Sequence, residues 1–340
     1  MKKISTIIDV AELANVSVAT VSRVLNGSDK VKADTVKRVN IAIEKLQYEP
    51  NIAARNLRRF ETGTILVILP DIANPFYSQI MSGISDAARK GNYNAFICQT
   101  RRDSELEEKF LNMLIHKRAD GAIVLTTPAN KEKLIRLADR VPIVQCAEFI
   151  PDASITHVSV DNYGAAAAAM QYIASLGHKR IALVSSTNEE YGTHERTRAY
   201  MEAVKKYKLY HSFDYIQSAD ADYSYQSGFN AALRLLQLEN IPTAIFCISD
   251  VLAIGAMNAA ISLGIHVPDQ LSVFGFDDIE LASMYKPSIS TIRQPRYDIG
   301  YRATKELLKL VNHKTKKKRG HQIFLDYEIV YRESTKSLQN

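Results

Sequence analysis

Asp9-Val10-Ala11-Glu12-Leu13-Ala14-Asn15-Val16-Ser17-Val18-Ala19-Thr20-Val21-Ser22-Arg23-Val24-Leu25-Asn26 is the stretch on which the architecture turns. Just before it, Thr6-Ile7-Ile8-Asp9 has the form of a capping box. A hydroxyl and a carboxylate three residues apart can satisfy each other's exposed backbone N–H groups. Val10, Leu13 and Ala14 then fall at helical spacing and predict a first helix. Asn15-Val16 breaks the pattern. Ser17 can cap a second helix, with Val21, Val24 and Leu25 at i, i+3 and i+4, and Asn26-Gly27 is a suitable stop. Val36, Val39, Ile43 and Leu46 mark the stripe of a third. Two short helices across a tight turn, then a third, predict a helix-turn-helix domain.

The charge is concentrated in the same region. The 340 residues carry a net +6, yet residues 1–60 alone hold 11 Lys and Arg against 6 Asp and Glu. The rest is nearly neutral. A small basic head on a neutral body suggests a polyanionic partner, nucleic acid or an anionic membrane surface; a solvated basic face would have the same composition. No apolar run approaches the ~18 residues of a membrane span. Asp9 and Glu12 come too early for a signal peptide. Cys98, Cys146 and Cys247 sit singly in apolar stretches, which argues against a disulfide scaffold or a zinc site and fits a cytoplasmic protein.

Tyr48-Glu49-Pro50-Asn51-Ile52-Ala53-Ala54-Arg55-Asn56-Leu57-Arg58 follows the head. Pro50 is pre-shaped for a helix start, but the segment is too short to be a stable helix alone. From Thr64 onward, apolar runs alternate with amphipathic helical stretches. The runs are Ile65–Leu69, Ala95–Cys98, Ala122–Leu125, Ile143–Cys146, Ile181–Val184, Ala244–Ile248 and Leu271–Phe274. Such alternation predicts right-handed βαβ units on parallel sheets, and about a dozen elements predict two lobes. No G-x-G-x-x-G or G-x-x-x-x-G-K-[ST] follows a strand, so neither a dinucleotide enzyme nor a P-loop NTPase is indicated. No G-x-S-x-G nucleophile motif occurs.

The Asp9–Asn26 stretch closely resembles the head of the LacI/GalR family of bacterial repressors. The body resembles the periplasmic-binding-protein-like core of the same family through several motifs. These are Asn74-Pro75-Phe76-Tyr77, Asp120-Gly121, Val160-Asp161-Asn162, Gly177-His178-Lys179-Arg180-Ile181, Ser249-Asp250-Val251-Leu252-Ala253-Ile254-Gly255, Gly275-Phe276-Asp277-Asp278 and Thr291-Ile292-Arg293-Gln294-Pro295. The resemblance spans essentially the whole chain. It implies an all-α helix-turn-helix head over residues 1–49, a hinge helix and linker over 50–62, and a two-lobed α/β core with parallel sheets over 63–340. Lobe one would take about 63–160 and 292–320, and lobe two about 161–291 and 321–340.

By this resemblance the second helix enters the major groove. Val18, Ala19 and Arg23 match base-reading positions, where arginine suits a guanine edge and small apolar groups a thymine methyl. The hydroxyls of Ser17, Thr20 and Ser22 suit phosphates, and equally suit helix capping. In the hinge, Leu57 matches the side chain wedged between base steps in the minor groove. Ala54 permits close approach, and Arg55 and Arg58 face phosphates. The ordinary alternative is a solvated linker with one incidental leucine.

For the core, the resemblance implies a small effector between the lobes and no cofactor, metal or catalytic residue. Phe76, Tyr77 and Tyr223 would stack on a ring, Asp277 would accept hydroxyls, and Arg196 would donate in a fork. Asp161 and Gln294 are weaker candidates near the crossings. Ser249 departs from the asparagine common in sugar-binding members, which turns the expectation from a sugar toward a nucleoside. Stretches such as Ala147-Glu148-Phe149-Ile150-Pro151 and Gln294-Pro295-Arg296-Tyr297-Asp298 are similar to the nucleoside-responsive cytidine-repressor subgroup. Glu148 admits two readings, a contact to a base or a solvated rim charge. The function implied is a repressor acting as a homodimer on a palindromic double-stranded operator. With no leucine-heptad tail before Asn340, a dimer is expected over a tetramer. The rivals are a transporter's solute-binding protein, which the basic head disfavours, and a small-molecule enzyme with an added head, for which no catalytic motif appears.

Overall fold

The structure, a computed structural model, describes residues 5–25, 28, 30–48, 62–127, 130–151, 154–312 and 320–338. The chain divides into two compact units, Met1–Thr62 and Gly63–Asn340. In the first, α1 (Ile7–Ala14), α2 (Val18–Leu25) and α3 (Ala33–Leu46) follow in order. The capping box closes α1: the Thr6 N–H donates to Asp9 Oδ2 at 2.6 Å, and the Asp9 N–H to Thr6 Oγ1 at 3.4 Å. Asn15, in the left-handed region at φ 50°, ends α1 and starts the tight turn. Val10, Ala11, Ala14, Val21, Val39 and Ala42 form the small core. Leu13, expected on the apolar face of α1, is 45% exposed. The stripe runs instead through positions 10, 11 and 14, and Leu13 falls on its edge.

The second unit continues through β1 (Thr64–Leu69), α4 (Phe76–Lys90), β2 (Asn94–Gln99), α5 (Ser104–Ile115), β3 (Gly121–Val124), α6 (Lys131–Ala138), β4 (Ile143–Cys146) and β5 (Thr156–Val160). Then come α7 (Asn162–Ser175), β6 (Ile181–Ser186), α8 (Tyr191–Lys206), β7 (Ile216–Ala219), α9 (Tyr225–Leu236), β8 (Ala244–Cys247), α10 (Asp250–Ser262), β9 (Ser272–Phe274) and α11 (Glu280–Met284). The chain ends with β10 (Thr291–Arg293), α12 (Arg296–Asn312), β11 (Gln322–Leu325) and β12 (Glu328–Val330). Six strands form a parallel sheet in the order β11-β5-β4-β3-β1-β2, and four form a second in the order β7-β6-β8-β9. Strands β10 and β12 pair antiparallel beside them. Both parallel sheets are covered by helices, as their unbroken apolar strands demand.

One boundary differs from expectation. Residues 321–340 were expected wholly in the second lobe, yet β11 pairs with β5 in the first sheet, where Ile323 and Leu325 pack on the first-lobe core. Only from β12 does the chain rejoin the second lobe. The chain therefore crosses between lobes at Val160–Asp161, at Gln294–Pro295 and at Asp326–Tyr327. A two-residue gap between β11 and β12 leaves no sequence signal for the last crossing.

Glycine sets the closest helix contact in each lobe. A Cβ on Gly83 of α4 or Gly300 of α12 would collide with a backbone carbonyl oxygen of the facing helix, that of Tyr297 or Ile80. Gly255 of α10 meets the backbone of α9 in the same way, at Tyr225 and Phe229.

His157 lies buried in β5, stacked on Phe149 at 3.7 Å between centroids with 3° between planes. Burial pushes its pKa down to about 4. Below the ordinary imidazole value of ~6.5 the unfolded chain takes up a proton that the folded chain refuses. The stability contribution is full above that pH and is lost as the pH falls toward 4, by at most about 1.4 kcal/mol per pH unit. Urea titrations between pH 4.5 and 7.5 should show this slope, and His157→Leu should flatten it. An unchanged slope in the variant would exclude His157 as its source.

Candidate functional site

Two surfaces carry the candidate residues. In the head, Ser17 Oγ accepts the Thr20 N–H at 3.2 Å and lies 2.9 Å from Thr20 Oγ1, so it caps α2. Ala19 and Arg23 are exposed one turn apart on α2, while Thr20 and Ser22 are half-buried. Val18 is half-buried and packs on the head core. The hinge candidates Ala54, Arg55, Leu57 and Arg58 lie outside the described residues.

In the core unit, Asn74, Phe76, Tyr77, Arg102, Glu148, Glu190, Arg196, Tyr223, Ser249 and Asp277 line one cavity between the two sheets, with about 40 Å³ of free volume. Most sit where a strand ends and a helix begins, the place where open parallel sheets bind ligands. Asn74 Oδ1 accepts the Phe76 N–H at 3.0 Å and starts α4, which sets Phe76 edge-on to Tyr77 with centroids 5.2 Å apart. Tyr223, at φ 56°, turns into the Ser224 cap of α9, and its hydroxyl meets that of Thr193. Ser249 Oγ accepts the Leu252 N–H at 3.3 Å and caps α10.

Arg196, 6% exposed, is held from three sides. Its Nε donates to Asn162 Oδ1 at 3.0 Å, its Nη1 to the Ile248 carbonyl at 2.6 Å, and its guanidinium lies 3.8 Å from the Phe276 ring centre. The same Nη1 is 3.8 Å from Asp277 Oδ1. Asp277 has φ 121°, an unfavourable backbone for a residue with a Cβ, and is clamped there by its N–H bond to the Ile292 carbonyl at 2.8 Å. Gln294 Nε2 donates to its carboxylate at 2.7 Å. Burial raises its pKa to about 6 against the pull of Arg196 and Arg296.

Carboxylates also clasp the lobes together. Glu190, at the start of α8, accepts from Arg102 Nη1 at 2.8 Å, Thr126 Oγ1 at 3.0 Å and the Thr127 N–H at 2.8 Å, all across the cleft. Glu148, from the first lobe, accepts the Gly192 N–H of the second at 3.0 Å.

Known proteins match both units. Residues 62–330 match the family described as "Periplasmic binding proteins and sugar binding domain of LacI family", and residues 6–51 match "Bacterial regulatory proteins, lacI family". The chain belongs to the LacI family of bacterial regulators. Catabolite control protein A of Priestia megaterium is 38% identical over 97% of this chain and 99% of its own length. The HTH-type transcriptional repressor CytR of Escherichia coli K12 is 37% identical over 98% and 97%. A solved structure of the Lac repressor dimer bound to operator and the anti-inducer ONPF superimposes with a TM-score of 0.86 at 27% identity, over 98% of this chain and 100% of that one.

As a LacI-family member, the protein is a DNA-binding transcription regulator with an effector-binding core, and its named relatives are regulators rather than enzymes. Among the described residues no helix could cross a membrane, and no cluster of His, Cys, Asp or Glu is placed to hold a metal.

Phe76, Tyr77, Glu148, Arg196, Tyr223, Ser249 and Asp277 are brought together on the cavity, while two other candidates are not. Asp161 is exposed, and its Oδ1 accepts the Gly164 N–H at 2.9 Å as the cap of α7. Gln294 lies behind Asp277 and orients it. Arg102 and Glu190 escaped sequence reading. Their signal is positional: each follows the C-terminal end of a strand, β2 and β6.

Proposed function

We propose that this LacI-family regulator represses transcription by binding a two-fold-symmetric operator as a homodimer. In this reading a small effector, a nucleoside first and a sugar next, binds in the cleft. The observation that carries it is the convergence of a buried Arg196–Asp277 pair with the Phe76, Tyr77 and Tyr223 rings on one cavity. Flat faces suit a ring, and the charged pair suits its hydroxyls. About 40 Å³ has room for a few waters at ~10–15 Å³ each, while an adjoining cavity of about 400 Å³ shares Asn74, Tyr77, Arg102 and Tyr223, so a nucleoside that reaches Arg196 and Asp277 would extend into it or widen the cleft. Coupling between effector and operator would then be of order 1–3 kcal/mol, a 5–150-fold change in affinity.

Exposed apolar groups favour the homodimer. Strand β2 is an edge strand with Phe96 56% and Ile97 47% exposed, which calls for cover. In the head, Ala19 and Arg23 are the proposed base readers and Ser17 and Thr20 the phosphate contacts. Leu57 remains the proposed minor-groove wedge.

Selection from a random duplex pool, followed by gel shift, tests this function. A symmetric site with half-sites about one helical turn apart is expected. Arg23→Ala should weaken binding by about 1–3 kcal/mol and relax preference at one base pair per half-site. Leu57→Ala should weaken operator binding and leave effector binding intact. Recovery of no symmetric site would refute the operator reading. A thermal-shift screen against nucleosides, bases and sugars addresses the effector: a saturable rise with a nucleoside supports the first choice, and a rise with sugars alone replaces it.

A further inference from the structure

The charges lining the cleft are unequal. Three carboxylates, Glu148, Glu190 and Asp277, meet two guanidinium groups, Arg102 and Arg196. Glu190 is engaged by Arg102 at 2.8 Å and by two first-lobe threonines. Asp277 is answered by Arg196 and Gln294, with Arg296 also near it behind the cavity wall. Glu148 is left over. One of its oxygens accepts the Gly192 N–H at 3.0 Å, and no donor among the described residues hydrogen-bonds the other. The approach is so tight that a Cβ on residue 192 would sit 2.6 Å from Glu148 Oε1. Glu148 also lines the cavity, half-buried.

A half-buried carboxylate with a donor on only one of its oxygens is held at some cost. In the free protein the cost is relieved by protonation. Burial and the nearby Glu190 push the Glu148 pKa up to about 8, against the Gly192 N–H, Arg196 and Arg102, which pull it down. A ligand N–H group relieves it differently, by supplying the missing donor. A ligand phosphate or carboxylate would add negative charge beside the oxygen that already lacks a partner.

We infer that Glu148 selects effectors bearing an amino or ammonium group, and that the cleft discriminates against anionic ones. This deepens the effector-binding reading above and rests on it. The donor chemistry is shared by two sources, an aminated nucleobase on a nucleoside and an amino sugar, and the aromatic faces of Phe76 and Tyr77 accommodate either ring.

Calorimetric titration of the full chain with matched pairs tests the inference: adenosine against inosine, cytidine against uridine, glucosamine against glucose, and each amino member against its phosphate ester. One amino compound should bind at least tenfold tighter than its partner and at least tenfold tighter than its phosphate ester. Which pair responds tells the nucleoside from the sugar. Near pH 7 binding should release a proton, seen as a heat that varies with the ionisation enthalpy of the buffer.

Glu148→Gln should remove the proton release and reduce or reverse the preference, because its amide offers a donor to a carbonyl partner. Glu148→Ala should abolish the preference without reversing it, and melting curves of both variants would show that they fold. Equal affinities within every pair, tighter binding of a phosphate ester, a preference undiminished in Glu148→Gln, or no binding at all would overturn the inference. Operator binding by the same preparation is scored separately, so the regulator reading stands or falls by itself.

Discussion

Arg196→Ala is expected to abolish the effector response, lowering effector affinity at least a hundredfold, about 2.7 kcal/mol. The variant removes more than a ligand contact. Asp277 loses its charged neighbour, Asn162 Oδ1 and the Ile248 carbonyl lose donors, and the Phe276 face loses its cation. Truncating one member of a buried charged pair typically costs about 3–5 kcal/mol, so the core should also melt earlier. Arg196→Lys separates the two effects. It keeps the charge, but a single ammonium cannot reproduce bonds made from two faces of a planar fork. Its expected phenotype is a milder loss of stability with most of the loss of binding. Effector titration and urea unfolding decide this, and wild-type affinity in Arg196→Ala would remove Arg196 from the site.

Asp250→Ala is expected to destabilise the core by about 3 kcal/mol or more. Asp250 has no exposed surface. Its Oδ1 accepts the Thr291 hydroxyl at 2.6 Å and its Oδ2 the Ile279 N–H at 2.8 Å. Its own N–H donates to the Phe276 carbonyl at 2.8 Å. One side chain thus joins the start of α10, the loop that carries Asp277 and the strand leading to the second crossing. Removing it leaves a buried hydroxyl and a buried N–H without acceptors, each worth ~1–3 kcal/mol, and opens a hole. Gly275 is glycine for the same reason, since a Cβ there would collide with Asp250 Oδ1. Asp250→Asn keeps one acceptor oxygen and should fall between the alanine variant and the wild type. A shift below 1 kcal/mol in the alanine variant would contradict this account. Because Asp277 is held by the same loop, effector affinity should fall alongside stability.

The elements that were readable in advance share a physical feature. Thr6 and Asp9 cap α1, Ser17 caps α2, and the continuous apolar runs at Ile65–Leu69 and Ile181–Val184 are strands buried on both faces. These signals are local: a cap reaches three residues, and a helix stripe or strand pattern a few more. Strand β7 was not anticipated, because half-exposed Ile216 and Gln217 make no apolar run. Strand β11 was assigned to the wrong lobe, because its alternating exposed and half-buried residues suit either sheet edge.

By itself the sequence determined the head-and-core division of chemistry, the alternation of strands and helices, and the family whose resemblance points to Arg196, Asp277 and the cleft aromatics. Only the tertiary structure decided which of these face the cavity. It turned Asp161 outward as a cap, moved Gln294 behind Asp277, and brought in Arg102 and Glu190 from loops 88 residues apart. It also left Glu148 without an ion pair at contact distance among the described residues, a property of the whole cleft that no local pattern holds. The physical reason is range. Caps, stripes and apolar runs are set by neighbours along the chain, whereas burial and charge balance are set by whatever folding brings within a few ångströms.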